Sequence, residues 1–260
     1  MNHPFLWAHR GASSLAPENT MAAFSIALEC GADGLELDIH LSRDGVPVAI
    51  HDETLDRTTA GHGQVGNKTL RQLQLLDAGS WFSAEFAGES IPALEDVLKT
   101  FSGRVRLNLE IKEFRAGMAV LELLKRYPDA DCVVSSFDYR LLERLRAADE
   151  SLPIAVLYAS GNWRYAVRLA SSLHAVAFHP EAEQVGRPMV AACRQAQLPV
   201  YVWTVDHPVH ARSLFRTGVA GVFTNDPLAL RQSALPAGPS TYSMFVLRCW
   251  MRYTAACSRR

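Results

Sequence analysis

Short apolar runs alternate with amphipathic stretches along most of the chain, and this alternation restricts the possible folds more than any other feature. Eight apolar runs predict β-strands, at residues 5–9, 34–40, 105–111, 132–135, 154–157, 175–178, 200–205 and 221–224. Seven stretches between them predict helices, at residues 20–30, 94–100, 117–127, 139–148, 162–170, 186–195 and 208–217. Strands that alternate with helices form parallel sheets, and eight such units predict an α/β fold of the (β/α)8, or TIM, barrel type.

Local signals mark the ends of the first and last helices. Asn19 precedes the first helical stretch and is predicted to be its N-cap, while Gly31 follows it and is predicted to stop it. The block Thr224-Asn225-Asp226-Pro227 is predicted to cap a final helix. All of these residues therefore receive structural roles at this point.

Residues 41–92 break the alternation. This segment is too long for a plain connection between a strand and a helix, and it holds an apolar run at 46–50, a polar turn at 59–64 and the aromatic residues Trp81, Phe82 and Phe86. We interpret it as a small insertion after the second strand, over the carboxyl end of that strand. Barrel enzymes place their active sites at that end.

The last 25 residues differ from the rest of the chain. We predict one barrel domain over residues 1–235 and an extension outside the barrel over residues 236–260, which contains four arginines, several aromatic residues and no acidic residue. Two interpretations of the extension stay open. It is either a loosely packed extension or a helix that contacts an anionic membrane surface.

Bulk composition excludes some classes of protein. A length of 260 residues fits one large α/β domain or two small ones. The net charge of −1 gives no support for nucleic-acid binding. Five scattered cysteines, none spaced as CxxC, favour free thiols in a reducing compartment. Neither a signal-peptide pattern nor an apolar run of about 18 residues is visible, and these observations together predict a cytoplasmic location.

Two histidines flank a pair of carboxylates within the first 51 residues. His9 ends the first predicted strand and His51 lies in the insertion, while Glu36 and Asp38 lie two residues apart in the second strand and leave the same face. Two histidines can divide acid and base work near neutral pH. Two carboxylates on one face repel each other unless a positive group lies between them, and a divalent cation is the obvious candidate. With Arg10 beside them, these groups indicate phosphate ester chemistry.

The strand at 105–111 supplies a third carboxylate, Glu110, and the residue that follows the strand is Lys112. Three carboxylates from two strand ends can hold one hard cation, and oxygen ligands favour Mg²⁺ or Ca²⁺ over zinc. The planar fork of Arg10 fits a phosphoryl oxygen, and Lys112 would neutralise phosphate charge. The ordinary alternative is that Arg10 pairs with Glu18 or Asp38 and Lys112 with Glu110.

Other site residues also have ordinary alternatives. His9 can be a buried structural residue, and His51 can be an ordinary surface histidine. Asp52 follows His51 and can orient its ring, although adjacent residues of a strand point to opposite faces. Trp203, at the end of the seventh predicted strand, belongs either to the core or to an apolar wall of the pocket.

The short motifs occur in a recognisable order. They are His9-Arg10-Gly11, Pro17-Glu18-Asn19-Thr20, Glu36-Leu37-Asp38, Asp44-Gly45, His51-Asp52, Asp56-Arg57-Thr58-Thr59, Ile91-Pro92-Ala93-Leu94-Glu95, Leu109-Glu110-Ile111-Lys112 and Thr224-Asn225-Asp226-Pro227. In this order they resemble the glycerophosphodiester phosphodiesterases, specifically the short bacterial soluble type, over residues 4–232. The resemblance implies the same barrel, with an inserted subdomain that selects the substrate.

The resemblance also implies roles for individual residues. It implies that Glu36, Asp38 and Glu110 bind the metal, that both His9 and His51 are essential for catalysis, and that Trp203 forms a wall beside the glycerol carbons. The expected reaction is metal-dependent hydrolysis of a small glycerophosphodiester to glycerol 3-phosphate and an alcohol.

Two other functions stay open at this point. One is a phosphodiesterase acting on lysophospholipids, and the other is an inactive barrel that binds a phosphorylated ligand. The alcohol group, the native metal, the division of work between the histidines and the oligomeric state are not predicted. The sequence also leaves open whether water attacks directly or the glycerol hydroxyl first forms a cyclic phosphate.

Overall fold

Eight parallel strands form a nearly closed barrel in the computed structural model, which describes residues 3–233. The strands, of which β3 lies outside the barrel, are β1 (Phe5–Ala8), β2 (Gly34–Leu41), β3 (Pro47–Ala49), β4 (Arg106–Ile111), β5 (Cys132–Ser136), β6 (Ile154–Tyr158), β7 (Ala177–Pro180), β8 (Tyr201–Val202) and β9 (Gly221–Thr224). The barrel strands pair in the order β7-β6-β5-β4-β2-β1-β9-β8. Two single parallel bridges, Phe178 to Val200 and Glu181 to Trp203, join the remaining edges. The predicted TIM barrel is confirmed.

Helices connect the strands and cover the outside of the barrel. They are α1 (Met21–Glu29), α2 (Leu70–Gln74), α3 (Leu94–Phe101), α4 (Phe114–Leu124), α5 (Tyr139–Ala148), α6 (Trp163–Ser172), α7 (Arg187–Gln195), α8 (Pro208–Thr217) and α9 (Pro227–Ser233). Their apolar faces pack on the strands in one large buried cluster. Pro227, in the first turn of α9, fits the fixed φ angle and missing N–H of proline.

Aromatic side chains fill the barrel near the amino ends of its strands. The Trp7 ring stacks on Phe223 with 5.6 Å between ring centroids, and Tyr201 meets Trp7 edge-on. Gly34 makes room for this layer, because a Cβ atom there would lie 2.4 Å from the Trp7 ring. This aromatic layer fills the barrel interior at the level of Trp7.

The first helix is capped differently from the prediction. Thr20, not Asn19, is the N-cap of α1, and its hydroxyl accepts a hydrogen bond from the backbone N–H of Ala23. The Asn19 side chain instead donates to Asp38 Oδ2 at 2.8 Å. Gly31 follows the helix with a φ of 78°, as expected of a stop residue. Asn19 therefore holds a residue of the predicted site instead of a helix end.

The segment between β2 and α3 forms a small body on the barrel, which confirms an insertion after the second strand. Its strand β3 pairs antiparallel with β2, with Ile39 opposite Ala49. It has a separate apolar cluster, made of Val48, Ile50, Leu55, Val65, Leu73, Ala78 and Ile91. Because β2 is also a barrel strand, this pairing carries the residues after β3 to the carboxyl end of the barrel.

Two further predictions concern the extension and membrane-spanning helices. The extension at residues 236–260 lies outside the described residues, and its role stays a prediction. Within residues 3–233, none of the helices combines the length and apolar character needed to cross a membrane.

Candidate active site

The carboxyl ends of the barrel strands surround a cavity of about 260 Å³. Seven of the eight predicted site residues line it, namely His9, Arg10, Glu36, His51, Glu110, Lys112 and Trp203. Asp38, the eighth, is fully buried and is contacted by Lys112 and Arg10 from the cavity lining. Residues distant in the sequence thus meet in one pocket with charged and aromatic parts.

Strand register brings the three carboxylates together. β2 and β4 are parallel neighbours, and their pairing sets Asp38 opposite Glu110 and Glu36 opposite Asn108. Oxygen atoms of Glu36, Asp38 and Glu110 all lie within 4.8 Å of one another. All three residues are buried, and Glu36 Oε1 has no hydrogen-bond partner among the described residues. This all-oxygen donor set, with one buried oxygen unpaired, fits a hard divalent cation.

Two cationic side chains contact the same carboxylates. Lys112 Nζ lies 2.8 Å from Asp38 Oδ1 and also contacts Glu110 Oε1, while Arg10 Nε lies 3.3 Å from Asp38 Oδ2. The ion pairs considered in the sequence therefore exist, inside the pocket. Within residues 3–233, three carboxylates are contacted by two cationic side chains, so the net charge of the cluster is negative when all three are ionised, and a further positive charge would be attracted.

The pKa values of the acids reflect this charge balance. Burial, and then the Asp38 carboxylate, raise the pKa values of Glu36 and Glu110. For Asp38, burial acts in the same upward direction, but Lys112 and Arg10 outweigh it and lower the pKa. Asp38 is thus ionised near neutral pH, whereas ionisation of its two neighbours is opposed unless more positive charge is present.

Arg10 is held in a tight turn directly after β1. Its φ is 58°, a left-handed conformation, and its backbone N–H donates to Glu36 Oε2 at 2.8 Å. The backbone carbonyl of Arg10 accepts a hydrogen bond from Asn19 N–H at 3.0 Å. Gly11 follows with a φ of 81°, and a Cβ atom there would lie 2.6 Å from the backbone of Ala23. The turn thus fixes Arg10 against the acidic cluster and against α1.

His9 is oriented by a chain of two polar side chains. Its Nδ1–H donates to Asn225 Oδ1 at 2.8 Å, and Asn225 Nδ2 donates to Asp206 Oδ2 at 2.7 Å. Nε2 is left as the ring nitrogen available to a ligand. Burial, and then the neighbouring Arg10, lower the pKa of His9 to about 4, so His9 is neutral near pH 7.

The cap of α9 differs from the prediction at Asn225. Asp226 caps the helix, with its Oδ1 accepting from Ala229 N–H at 2.8 Å. Asn225 instead bonds to His9 and Asp206. Register explains this contact, because Ala8 pairs with Thr224 in the β1–β9 ladder and the two following residues meet side by side.

His51 is oriented by a carboxylate. Its Nδ1–H donates to Asp52 Oδ1 at 2.6 Å, and Asp52 Oδ2 accepts from Arg57 Nε at 2.7 Å. The alternation of strand side chains does not prevent this bond, because β3 ends at Ala49. Burial lowers the pKa of His51. The second histidine therefore also presents Nε2 to a ligand, but it has a charged partner.

An apolar wall faces the charged groups. The Trp203 ring meets Phe137 edge-on with 5.6 Å between centroids, and its Nε1–H donates to the backbone carbonyl of His179 at 2.8 Å. Leu157 and Phe223 complete this side of the cavity. One part of the cavity surface is thus formed by basic and acidic side chains, and the other part is apolar.

Sequence reasoning missed the partners that orient the site. Asp52 received a weak role and Asn225 a structural one. Glu18 was considered only as an ion-pair partner of Arg10, and Arg57 and Asp206 received no role. Strand pairing could have signalled Asn225, since β1 and β9 must be neighbours in a closed eight-stranded barrel. Arg57 belongs to one of the quoted motifs, but it lies in an irregular part of the insertion, where no strand pairing indicates its partners.

Comparison with known proteins supports the resemblance in the motifs. The model of the glycerophosphoryl diester phosphodiesterase family matches residues 9–229. A glycerophosphodiester phosphodiesterase of Caldanaerobacter subterraneus subsp. tengcongensis is 38% identical over 233 residues, covering 86% of this chain and 94% of that protein. A putative glycerophosphodiester phosphodiesterase of Bacillus subtilis, YhdW, is 36% identical over 230 residues, covering 86% and 95%.

Solved structures extend the comparison to the fold. A phosphodiesterase of Oleispira antarctica, in complex with the product sn-glycerol-3-phosphate, superposes with a TM-score of 0.81 at 30% identity, covering 89% of this chain and 96% of that chain. A glycerophosphodiester phosphodiesterase of Agrobacterium tumefaciens superposes with a TM-score of 0.78 at 31% identity, covering 87% and 98%. This chain belongs to the glycerophosphoryl diester phosphodiesterase family.

Proposed function

We propose that this protein hydrolyses small glycerophosphodiesters to glycerol 3-phosphate and an alcohol, using His9 and His51 as an acid–base pair and one divalent cation, Mg²⁺ or Ca²⁺. The observation that carries the proposal is the meeting of two oriented histidines and a buried carboxylate cluster in one cavity. The family match and the relative that binds sn-glycerol-3-phosphate support the substrate class. A protein that only bound a phosphorylated ligand would have no use for the acid–base pair.

The charged residues would bind and polarise the phosphate. Glu36, Asp38 and Glu110 would hold the cation, which supplies Lewis-acid polarisation of a phosphoryl oxygen when bound. Arg10 and Lys112 would donate to the other phosphoryl oxygens and stabilise the negative charge that develops on them. The side chains of Arg10 and Lys112 both contact Asp38 and both line the cavity, so they are available to a phosphate bound there.

The partners of the histidines favour different roles for them. His9 is neutral near pH 7, and its Nε2 can accept a proton from the attacking group, which is either a water molecule or a hydroxyl group of the glycerol. His51 donates to the Asp52 carboxylate, which favours the protonated ring that a general acid needs, although burial outweighs this contact and lowers the pKa of His51. We therefore assign His9 as the base and His51 as the acid that protonates the leaving alkoxide.

The cavity favours a small substrate over a lysophospholipid. Its volume of about 260 Å³ lies below the range of roughly 300–1,000 Å³ that is usual for drug-sized ligands. Trp203 and the apolar wall would contact the glycerol carbons, while the polar groups contact the phosphate. The buried free thiols Cys30, Cys132 and Cys193 agree with a reducing compartment, which supports the proposed cytoplasmic location.

Release of glycerol 3-phosphate from several glycerophosphodiesters, measured with and without chelator, tests the activity and the metal. Chelation should abolish turnover, and added Mg²⁺ or Ca²⁺ should restore it. His9→Ala and His51→Ala should each lose about 10²–10⁴-fold in kcat while still binding the cation. Full turnover in excess chelator, once the metal is shown to be gone, would refute the metal assignment.

A diester with a nitrophenyl leaving group tests the division of roles, because nitrophenolate leaves without protonation. This substrate should restore turnover to the His51→Ala variant and not to the His9→Ala variant. The opposite pattern would exchange the two roles. Near-normal turnover of both variants on the natural diester would refute acid–base catalysis by this pair.

A further inference from the structure

Arg57 joins two carboxylates that belong to different parts of the fold. Its Nη1 donates to Glu18 Oε2 and its Nη2 to Glu18 Oε1, both at 2.8 Å. On its other edge, its Nε donates to Asp52 Oδ2 at 2.7 Å and its Nη2 to Asp52 Oδ1 at 3.1 Å. Glu18 lies between β1 and α1 of the barrel, whereas Asp52 and Arg57 belong to the insertion. The guanidinium thus spans the boundary between the two.

Each carboxylate also contacts a residue that lines the cavity. Glu18 Oε1 accepts from Arg10 Nη1 at 2.9 Å, and Asp52 Oδ1 accepts from His51 Nδ1–H at 2.6 Å. An unbroken chain of charged hydrogen bonds therefore connects Arg10 to His51. One end is the proposed phosphate ligand, and the other is the proposed acid.

We propose that Glu18 and Arg57 are positioning residues that set Arg10 and His51 in a fixed relation to each other across the boundary between barrel and insertion. Neither touches the cavity, so both act through the residues they hold. The inference rests on the proposed role of His51 and adds a specific cause for its orientation.

The contacts restrict the geometry more than a single ion pair would. A guanidinium has donors on two edges, and here it makes two hydrogen bonds to each of two carboxylates, which a lysine ammonium cannot reproduce. Glu18 is mostly buried, with a side-chain exposure of 12%, although Arg57 is 44% exposed. Hydrogen bonding from Arg57 lowers the pKa of Asp52, and the same bonding together with Arg10 outweighs burial and lowers the pKa of Glu18. Both acids thus stay ionised and keep accepting.

The test is the leaving-group dependence of Arg57→Gln. A displaced His51 protonates a departing alkoxide poorly, and a misplacement of about 1 Å can reduce a rate by about 10²-fold. We expect kcat on glycerophosphocholine to fall roughly 10–100-fold, with a much smaller fall on the nitrophenyl diester. Arg57→Lys should show the same selective loss. If Arg57→Gln does not fold, Arg57→Lys alone provides the test.

Arg106→Gln is the matched control. Arg106 makes two hydrogen bonds to Asp131, has a side-chain exposure of 43%, and lies at the opposite end of β4 from Glu110. The Arg106→Gln substitution should leave kcat on both substrates unchanged. Glu18→Gln should reduce kcat on the natural diester and also raise KM, because Arg10 loses its acceptor. The Glu18→Gln/Arg57→Gln double variant should lose less than the product of the single losses.

His51→Ala is measured beside these variants to separate two kinds of failure. If His51→Ala keeps normal turnover on the natural diester, the proposed function fails. If His51→Ala loses turnover but the Arg57 variants do not, or lose it equally on both substrates, the positioning inference is overturned and the proposed function stands. A selective loss on the natural diester, absent in Arg106→Gln, supports the inference.

Discussion

Replacing Glu36 by glutamine should make the protein more stable without metal and less stable with it. The side chain is 2% exposed, its Oε1 has no hydrogen-bond partner in the described part of the chain, and it lies within 4.8 Å of two other carboxylates. Glutamine keeps the shape of the side chain and an oxygen that can accept from Arg10 N–H. It also replaces one carboxylate oxygen by a donor that can reach Asp38 or Glu110.

The size of the expected gain in stability without metal follows from the charges around Glu36. Two carboxylates 4.8 Å apart repel by about 3.5 kcal/mol at an effective dielectric constant of about 20. Attraction to Arg10 and Lys112 cancels much of this repulsion, and the remainder is mainly the desolvation of an unpaired oxygen, about 1–3 kcal/mol. The raised pKa of Glu36, caused first by burial and then by Asp38, gives the same sign. We expect a gain of about 1–3 kcal/mol in chelator, or roughly 2–10 °C in Tm for a domain of this size.

Thermal unfolding in chelator and in saturating Mg²⁺ or Ca²⁺ provides the assay. A cation at a concentration of 1,000 times its Kd stabilises the native protein by about 4.1 kcal/mol, and the variant should lose most of this gain. The order of the two Tm values should therefore reverse between the two buffers. The exposed Glu122→Gln is the control and should change stability by less than about 0.5 kcal/mol. A lower Tm of Glu36→Gln than of the parent protein in chelator would show that the Glu36 carboxylate does not destabilise the metal-free protein.

Three other outcomes are expected. Asn225→Ala should reduce kcat roughly 10–100-fold, because the acceptor of His9 Nδ1–H is lost; unchanged steady-state kinetics would contradict this. His179 is fully buried with both ring nitrogens unpaired among the described residues, and burial lowers its pKa to about 3. Because the unfolded chain binds this proton near pH 6.5 and the folded chain does not, His179 alone should lower the stability by about 1.6 kcal/mol from pH 6.5 to 5. His179→Leu should remove that loss in denaturant titrations at both pH values, and equal losses would contradict the assignment. Removing residues 236–260 should leave kcat on a soluble diester unchanged, since all eight site residues lie within residues 3–233; loss of folding would show that the extension is structural.

The architecture was predictable because the pattern repeats. All eight predicted barrel strands occur, since each must be apolar to lie between the barrel interior and the helices. Boundaries were less accurate. The stretch predicted as a strand over residues 200–205 forms a ladder only at Tyr201–Val202, while Val200 and Trp203 make single bridges to Phe178 and Glu181 across the nearly closed edge of the barrel. Such a contact depends on barrel closure and leaves no mark on the local sequence.

The acidic cluster was predictable for a different reason. Glu36 and Asp38 share a strand face at a spacing of two, and Glu110 stands at the end of an adjacent strand. The orienting partners do not follow from such rules. His9 and Asn225 are 216 residues apart, and Glu18 and Arg57 are 39 apart with no ladder between their segments. Side-chain hydrogen bonds between loops depend on the finished fold.

Two kinds of interaction hold the site residues in place, and mutations that remove them should have different effects on turnover and on metal affinity. The carboxylates are fixed by the hydrogen bonds of β2 and β4, so only a change in strand register would separate them. The histidines lie just past the ends of β1 and β3, where no ladder fixes the ring, and polar partners orient them instead. Loss of Asn225 or Arg57 should therefore lower turnover with little effect on the affinity for the cation. Loss of Asp38 should lower both, because it removes a predicted metal ligand and the acceptor of Lys112, Arg10 and Asn19.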